Sequence, residues 1–428
     1  MFGTTSSSAL RAGGRTLETV QRRLFSVSAS QRAGQIVTFR KASSPELQST
    51  LDTLYNKIIL PSYLTQEQQR KMYRVKYERE LAHEPITMEI DGVVHKFHYQ
   101  DMMKLPHAYQ LISDFINNMK TPGDWDNLPR LLEGLKHAHR KVDEVLYAKM
   151  IRRAALAHRL DVIVTCIKSV KRTGFKLDSA EKIQELLTQL TSRAVNTGYG
   201  EYTTNRSLQQ IQQIIEELEA EPAHLGDEGL RLQLPFYGHP LVLGARLHLA
   251  AAKAYYLKDK DTVVQVQRYA EELMALWPEG KGVLDLEPSA AYTDRSKLRF
   301  LMDRNNFLYH VTPIYQGLNL AVKMVDPGLA MQLQNRADAV EGELRAAMES
   351  PERKAGGRGE VMYNWIFNRK EMKKKRAAEV RAEQEAKEAK REEMEEKQKR
   401  REQRRLFHEE QARKKAAGEQ QPAPAAEA

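Results

Sequence analysis

The feature that most constrains this chain is a succession of paired helical patterns beginning near Pro106. PHAYQLISDFINNMK and LPRLLEGLKHAHRK, separated by the breaker TPGDWDN, place apolar residues three and four apart, the spacing that lines one face of an α-helix. The two halves of YAKMIRRAALAHRLDVIVTCIKSVKRTGFKLD repeat the plan, as do SAEKIQELLTQLTSRAV and SLQQIQQIIEELEA. Tyr109 and Tyr147 hold like places in successive pairs, 38 residues apart. One helical hairpin cannot bury its apolar faces without neighbours, so a period in the 30s predicts an α-solenoid of stacked hairpins. The pairing continues through PLVLGARLHLAAAKAYYLKDKDTVVQVQRYAEELMALWPEG and two longer helical patterns. The fold class expected is therefore mainly all-α, with a helical-repeat domain over residues 106–350.

Residues 35–105 read differently. SPELQSTLDTLYNKIILPSYL and TQEQQRKMYRVKYERELAHE have helical spacing, and Thr65 and Gln68 stand as a capping box before the second. ITMEIDGVVHKFHY then alternates on both sides of Asp91-Gly92, the strongest short signal for a β-hairpin, here near residues 86–99. An isolated hairpin is marginal in water, so this one is expected to pack against helices or a partner. After the repeats, the Gly- and Pro-containing PERKAGGRGE opens an expected linker over 351–368. Residues 369–415 carry Glu and Lys or Arg at many i, i+4 spacings and almost no apolar side chains. They predict a long charged helix with no coiled-coil seam, before a disordered tail at 416–428.

Residues 1–34 hold five Arg, many Ser and Thr, and one acid, Glu18. This is the composition of a mitochondrial transit peptide, and RRLFSVSAS predicts processing near Phe25 or Ser26. The most apolar short run, LDVIVTCIKSV, is interrupted by Lys168, and no window approaches the roughly 18 consecutive apolar residues that span a bilayer. The single cysteine, Cys166, excludes an internal disulfide framework and reads as a small core residue. The net charge is +10, of which residues 1–34 contribute +4 and 369–415 contribute +7, leaving the body between them at about −1. Within that body, residues 136–178 hold 11 Lys or Arg against four acids, a local patch of +7. By contrast EELEAEPAHLGDE, residues 216–228, is acidic and reads as a solvated helix end and loop.

The stretch from Val145 to Asp178 resembles a pentatricopeptide repeat, aligning without gaps. Val145 and Tyr147 open the first helix, Met150 and Ile151 lie on its buried face, and AHRLD forms the turn. Ile163, Ile167 and Val170 follow on the second helix, and KRTGFKLD closes the repeat with a Gly, an apolar residue, Lys and a terminal Asp. The resemblance implies stacked hairpins that bind single-stranded RNA in an organelle, one base per repeat. Asp178 matches the second base-reading position, whereas Ala148 stands where the first is usually polar. The resemblance thus implies contact with the RNA backbone through Lys149, Arg152, Arg153, Lys168, Lys171, Arg172 and Lys176, with Asp178 beside them. A weaker resemblance to a tetratricopeptide repeat rests on the small residues from Ala250 to Ala254, Tyr255, Asp259, Ala270 and Pro278. The structural alternative for the patch is that its cations merely solvate the outer faces of the helices.

Catalytic patterns are missing from the sequence. His137 and His139 lack the i, i+4 spacing and neighbouring carboxylate of a zinc site, and no His stands beside Cys166 to activate it. No cofactor or metal is expected. The function expected is non-catalytic work in mitochondrial gene expression within the matrix, as a ribosome component or an RNA-binding translation or RNA-processing factor. EMKKKR and KQKRREQRR in the charged helix are further expected contacts with RNA or ribosome. The competing expectation is a tetratricopeptide-like adaptor or assembly factor for a respiratory complex, binding other mitochondrial proteins.

Overall fold

The computed structural model describes residues 36–418 apart from Asp91, 225–231, 233, 234 and Ser296. The expected leader with its processing site, most of the expected tail and part of the acidic 216–228 stretch lie outside the described residues.

Helix α1, Pro45–Leu54, starts where the Ser44 hydroxyl accepts from the backbone of Leu47, and it buries Leu47, Leu51 and Leu54. Helix α2, Gln66–Tyr73, carries the full capping box, since Thr65 Oγ1 accepts from Gln68 N at 3.3 Å and Gln68 Oε1 accepts from Thr65 N at 3.0 Å. After the short α3, Glu78–His83, strands β1, Ile86–Ile90, and β2, Val93–Phe97, pair antiparallel with Ile86 opposite Phe97 and Ile90 opposite Val93. Gly92 turns between them at φ +79°. Ile90 and Phe97 bury their side chains with Leu60, Leu64 and Met72, so the hairpin does pack on the helical segments before it. It forms the only sheet among the described residues.

The remaining helices follow the paired pattern. They are α4, Ala108–Asn118; the single-turn α5, Pro122–Trp125; α6, Asn127–His137; α7, Glu144–Leu156; and α8, Leu160–Lys168, which breaks at Ser169 into α9, Val170–Thr173. Next come α10, Ala180–Asn196; α11, Glu201–Ala220; α12, Pro240–Leu257; α13, Lys260–Leu276; α14, Arg304–Ala321; and α15, Pro327–Glu349. First members touch one another in the order α4, α7, α10, α12, α14, while α6, α8 and α11 do likewise on the other layer, as do α13 and α15. The apolar face of each hairpin is closed by the next, and a single large cluster runs from Leu47 to Trp365. The fold is mainly all-α.

Within the stretch expected as a linker, residues 358–367 form α16, Arg358–Phe367, which packs on α14 and buries Met362 and Trp365. Gly359 serves close approach, because a Cβ there would collide with the Asn305 carbonyl and with Leu308. Helix α17, Arg369–Gly418, then continues the chain with its described side chains almost all exposed.

A close crossing also joins α12 to α14. A Cβ added at Gly317 would lie 2.7 Å from the Cα of His248, a backbone atom that cannot give way. Gly317→Ala is therefore expected to lower stability by about 2 kcal/mol or more, whereas Gly342→Ala on the open face of α15 is expected to raise it by roughly 0.5–1 kcal/mol. Urea unfolding followed by circular dichroism checks both signs.

Candidate nucleic-acid interface

Asp143 accepts from Val145 N at 2.9 Å and so caps α7, which fixes where its cations fall. Lys149, Arg152 and Arg153 stand at i, i+3 and i+4 on one face. Lys149 Nζ donates to Ser113 Oγ at 2.6 Å, and Arg153 Nη2 donates to the carbonyl of Asn117 at 2.7 Å, near the end of α4. A guanidinium on a free terminal carbonyl is favourable both as a hydrogen bond and against the helix dipole. Arg152 is half-buried on the side of α14, close enough to Tyr309 and His310 to act on their protonation. These three residues stitch α7 to its neighbours.

The cations of α8 and α9 fall elsewhere. Lys168 is exposed, Lys171 Nζ pairs with Glu221 Oε2 at 2.8 Å beyond the end of α11, and Arg172 grips Glu133 of α6 with Nε at 3.2 Å and Nη2 at 2.8 Å. Lys171 and Arg172 remain 79% and 70% exposed, so these pairs are worth at most about 1 kcal/mol and a phosphate can compete for them. Lys176 is half-buried past the turn. Arg159 binds Asp126 at 3.0 Å, Asp161 at 3.2 Å and the Pro122 carbonyl at 2.7 Å, tying the α7–α8 turn to α5 and α6. The patch that is continuous in sequence is thus divided, with α7 turned toward α4 and α14, and α9 toward α6 and the end of α11.

Ala148 is buried, and Asp178 accepts from Lys182, whose nearly inaccessible ammonium also meets Glu144 Oε2 at 2.6 Å and lies 5.2 Å from the Tyr147 ring centre. The Asp178 carboxylate is therefore already engaged within the fold. Cys166 is buried, which pushes its thiol up to about 12. His137 stacks on Tyr63 at 4.0 Å and meets Ser62 Oγ at 2.9 Å, a packed ring between the N-terminal turn and α6.

The residues that sequence reasoning missed are buried polar groups around α10. Glu185 is 1% exposed, and Arg358 Nη1 from α16 donates to both its oxygens, at 2.7 and 2.9 Å. The same guanidinium lies over the Tyr309 ring at 4.4 Å, while His310 Nδ1 meets Thr188 Oγ1 at 2.8 Å. Burial pushes the Glu185 carboxyl up, but His310, in the acid range where it takes up a proton, and the permanent charge of Arg358 outweigh it and hold the group below the ordinary range. Burial drives His310 down to about 4 despite the pull of Glu185, so the imidazole is neutral at physiological pH and Arg358 carries the compensating charge. A second anchor lies at the root of α17. Arg369 sits over Tyr256 at 4.4 Å and Tyr199 at 5.1 Å, and its Nη2 donates to the Gly198 carbonyl at 3.3 Å. No local signal marks Glu185, because its partner is 173 residues away. Arg369 carried a signal of charge but none of its aromatic seat.

Two outcomes follow. Arg358→Ala leaves a buried carboxylate without its cation and is expected to cost about 3–5 kcal/mol, of which Glu185→Gln in the same chain recovers a large part; thermal and urea unfolding of the single and double variants checks this. Burial holds His239 and His248 at about 3 and His310 at about 4, all below the ordinary 6.5. The unfolded chain takes up these protons below pH about 6.5 and the folded chain does not. Stability is thus expected to be unaffected by these groups above that pH and to fall between pH about 6.5 and 4, by up to about 1.4 kcal/mol per pH unit for each. Urea midpoints at pH 7.5, 6 and 5 measure the fall, and His310→Gln is expected to make it shallower.

The comparisons with known proteins follow this geometry closely in extent. The family model described as Mrp13, mitochondrial ribosomal protein mS27, matches residues 23–365, which take in the N-terminal helices, the hairpin and the helical pairs through most of α16. The small ribosomal subunit protein mS27 of Neurospora crassa is 35% identical over 397 residues, covering 86% of this chain and 100% of that protein. Between the two expected readings, ribosome and respiratory-complex adaptor, these likenesses select the first. A mainly helical chain with this end-to-end likeness belongs to the mitochondrial ribosomal protein mS27 family.

Proposed function

We propose that the protein is a non-catalytic structural component of the small subunit of the mitochondrial ribosome, working in the matrix, and that it holds ribosomal RNA by its backbone. The observation that carries this reading is the likeness to a small-subunit protein along that relative's whole length. The geometry supports backbone contact over base reading. Ala148 is buried and offers no hydrogen-bonding group, and Asp178 is bound by Lys182. A pentatricopeptide-like hairpin used in this way positions RNA without decoding it. Lys168, Lys171 and Arg172 are the exposed cations of the expected set, and among the described residues their acidic partners, Glu221 for Lys171 and Glu133 for Arg172, are weak surface ones. Lys149, Arg152 and Arg153 act mainly by holding α7 in its layer, and Lys176 and Asp178 by shaping the turn into α10. Residues 1–34 serve as the matrix-targeting leader.

Sedimentation of a mitochondrial lysate containing the tagged mature protein tests the assembly reading. The protein is expected to travel with the small subunit and to shift to lighter fractions after RNase treatment; recovery in light fractions regardless of RNase contradicts it. Charge reversal at Lys168, Lys171 and Arg172 is expected to weaken that association and to reduce its salt dependence by about one phosphate per cation removed. Unchanged association returns these three residues to ordinary solvated surface.

A further inference from the structure

Helix α17 is divided in a way that its overall charge conceals. Residues 369–381 hold seven cations and two acids, whereas 382–410 hold nine cations and ten acids. Among the described side chains the i, i+4 ion pairs of the helix lie in its distal part, namely Arg391–Glu395 at 3.0 Å, Lys397–Glu393 at 2.5 Å, Arg400–Glu396 at 2.7 Å and Arg405–Glu409 at 3.3 Å. From Lys370 to Arg381 no cation makes an ion pair with any described residue. The distal helix neutralises itself, and the proximal helix does not.

The uncompensated part runs beside a groove. A cleft of about 700 Å³, whose lining includes Tyr199, Tyr256, Arg369, Lys370, Lys373 and one acid, Glu371, shares Gly198 and Lys373 with a second of about 510 Å³, whose lining includes Trp365, Arg376 and Arg381. We propose that this groove, between the first turns of α17 and the α10–α11 turn, is a seat for the phosphate backbone of RNA. The proposal rests on the small-subunit reading above and names the surface that does the holding.

Three features favour this ligand. Arg369 is spent on Tyr199, Tyr256 and the Gly198 carbonyl, so the root of the helix is held against the body and the following cations are presented from a fixed base. The ring faces are occupied by one another, since Tyr256 stacks on Tyr199 at 4.6 Å, and Phe367 stacks on both Tyr315 at 4.9 Å and Tyr363 at 4.1 Å. At Trp365 in the second cleft the Arg376 guanidinium lies 5.8 Å from the ring centre, so a base meets rings that are already engaged, and what remains for recognition is charge. Lys370 and Arg381 stand about 16 Å apart along the helix axis, a length that faces several consecutive phosphates. Such a density of cations with so few interspersed acids suits a nucleic-acid backbone better than a protein surface, where acids alternate with other residues.

The test uses the full mature protein and a fluorescein-labelled 30-nucleotide hairpin RNA, with binding followed by anisotropy over a range of KCl concentrations. The substitutions Lys370→Gln, Lys373→Gln and Arg376→Gln, made together on exposed side chains, are expected to weaken binding by roughly tenfold or more and to lower the slope of log Kd against log[KCl] by about 2 to 3. The distal set Lys399→Gln, Arg401→Gln and Arg404→Gln is expected to change binding less than about twofold. Circular dichroism and the urea midpoint establish that both variants fold. Equal losses in the two variants, no loss in the proximal one, or displacement of the RNA by an equal charge concentration of poly-glutamate would each overturn the assignment. If the proximal variant still binds the hairpin while the protein sediments with the small subunit, the groove is wrong and the assembly reading stands. If the protein does not sediment with that subunit, the assembly reading fails and the groove loses its ribosomal ligand.

Discussion

Burial of Glu185 against Arg358 is the interaction on which the rest of the structure depends. Helix α10 packs against α7, α11, α12, α14 and α16, so most of its polar residues, Glu185 among them, have no access to solvent. A carboxylate in that position is tolerated only with a cation beside it, and the cation comes from the first turn of α16. Replacing such a pair by apolar residues of similar volume can be neutral or better for stability. Here the pair has a different consequence, because it dictates that the chain must return after α15 and lay α16 on α14 with Arg358 at Glu185. Once α16 is placed, Arg369 follows its last residue, Phe367, after Asn368 alone, and the direction of α17 follows from the seat on Tyr199 and Tyr256.

The same arrangement connects the core to the functional surface. Tyr199 adopts φ +65°, a conformation that bulky side chains rarely take, and its buried hydroxyl meets His248 Nε2 at 2.9 Å within the α12 layer. Packing of α12 on α14 through Gly244 and Gly317 brings His248 to that place. The site at the root of α17 thus stands on three links, the Gly-mediated crossing, the Tyr199–His248 contact and the Glu185–Arg358 pair.

Much of this was legible in the sequence where the determinant is local. The Thr65–Gln68 capping box, the Asp91-Gly92 turn and the paired 3.6-residue periodicities each act within a few residues, and the structure has the corresponding elements. What depends on distant partners was not legible. The charge excess of residues 136–178 was real, but Glu133 and Glu221, which take up Arg172 and Lys171, stand outside that window. Gly357 and Gly359 looked like linker glycines because composition does not distinguish chain freedom from close helix approach. The burial of Lys182, Gln184 and Glu185 has no mark in the sequence, since periodicity shows which residues share a side and not whether another helix will cover it.

The central claim is that this protein grips small-subunit RNA by its backbone through cations held on rigid helices. The most direct measurement is protein–RNA cross-linking on intact mitochondrial ribosomes, followed by identification of the cross-linked peptides and nucleotides. The account predicts cross-links from peptides spanning Lys370–Arg381 and Lys168–Arg172 to the RNA of the small subunit, with few from the self-paired stretch between Arg391 and Arg405. Cross-links confined to large-subunit RNA, or found only on that distal stretch, would contradict it.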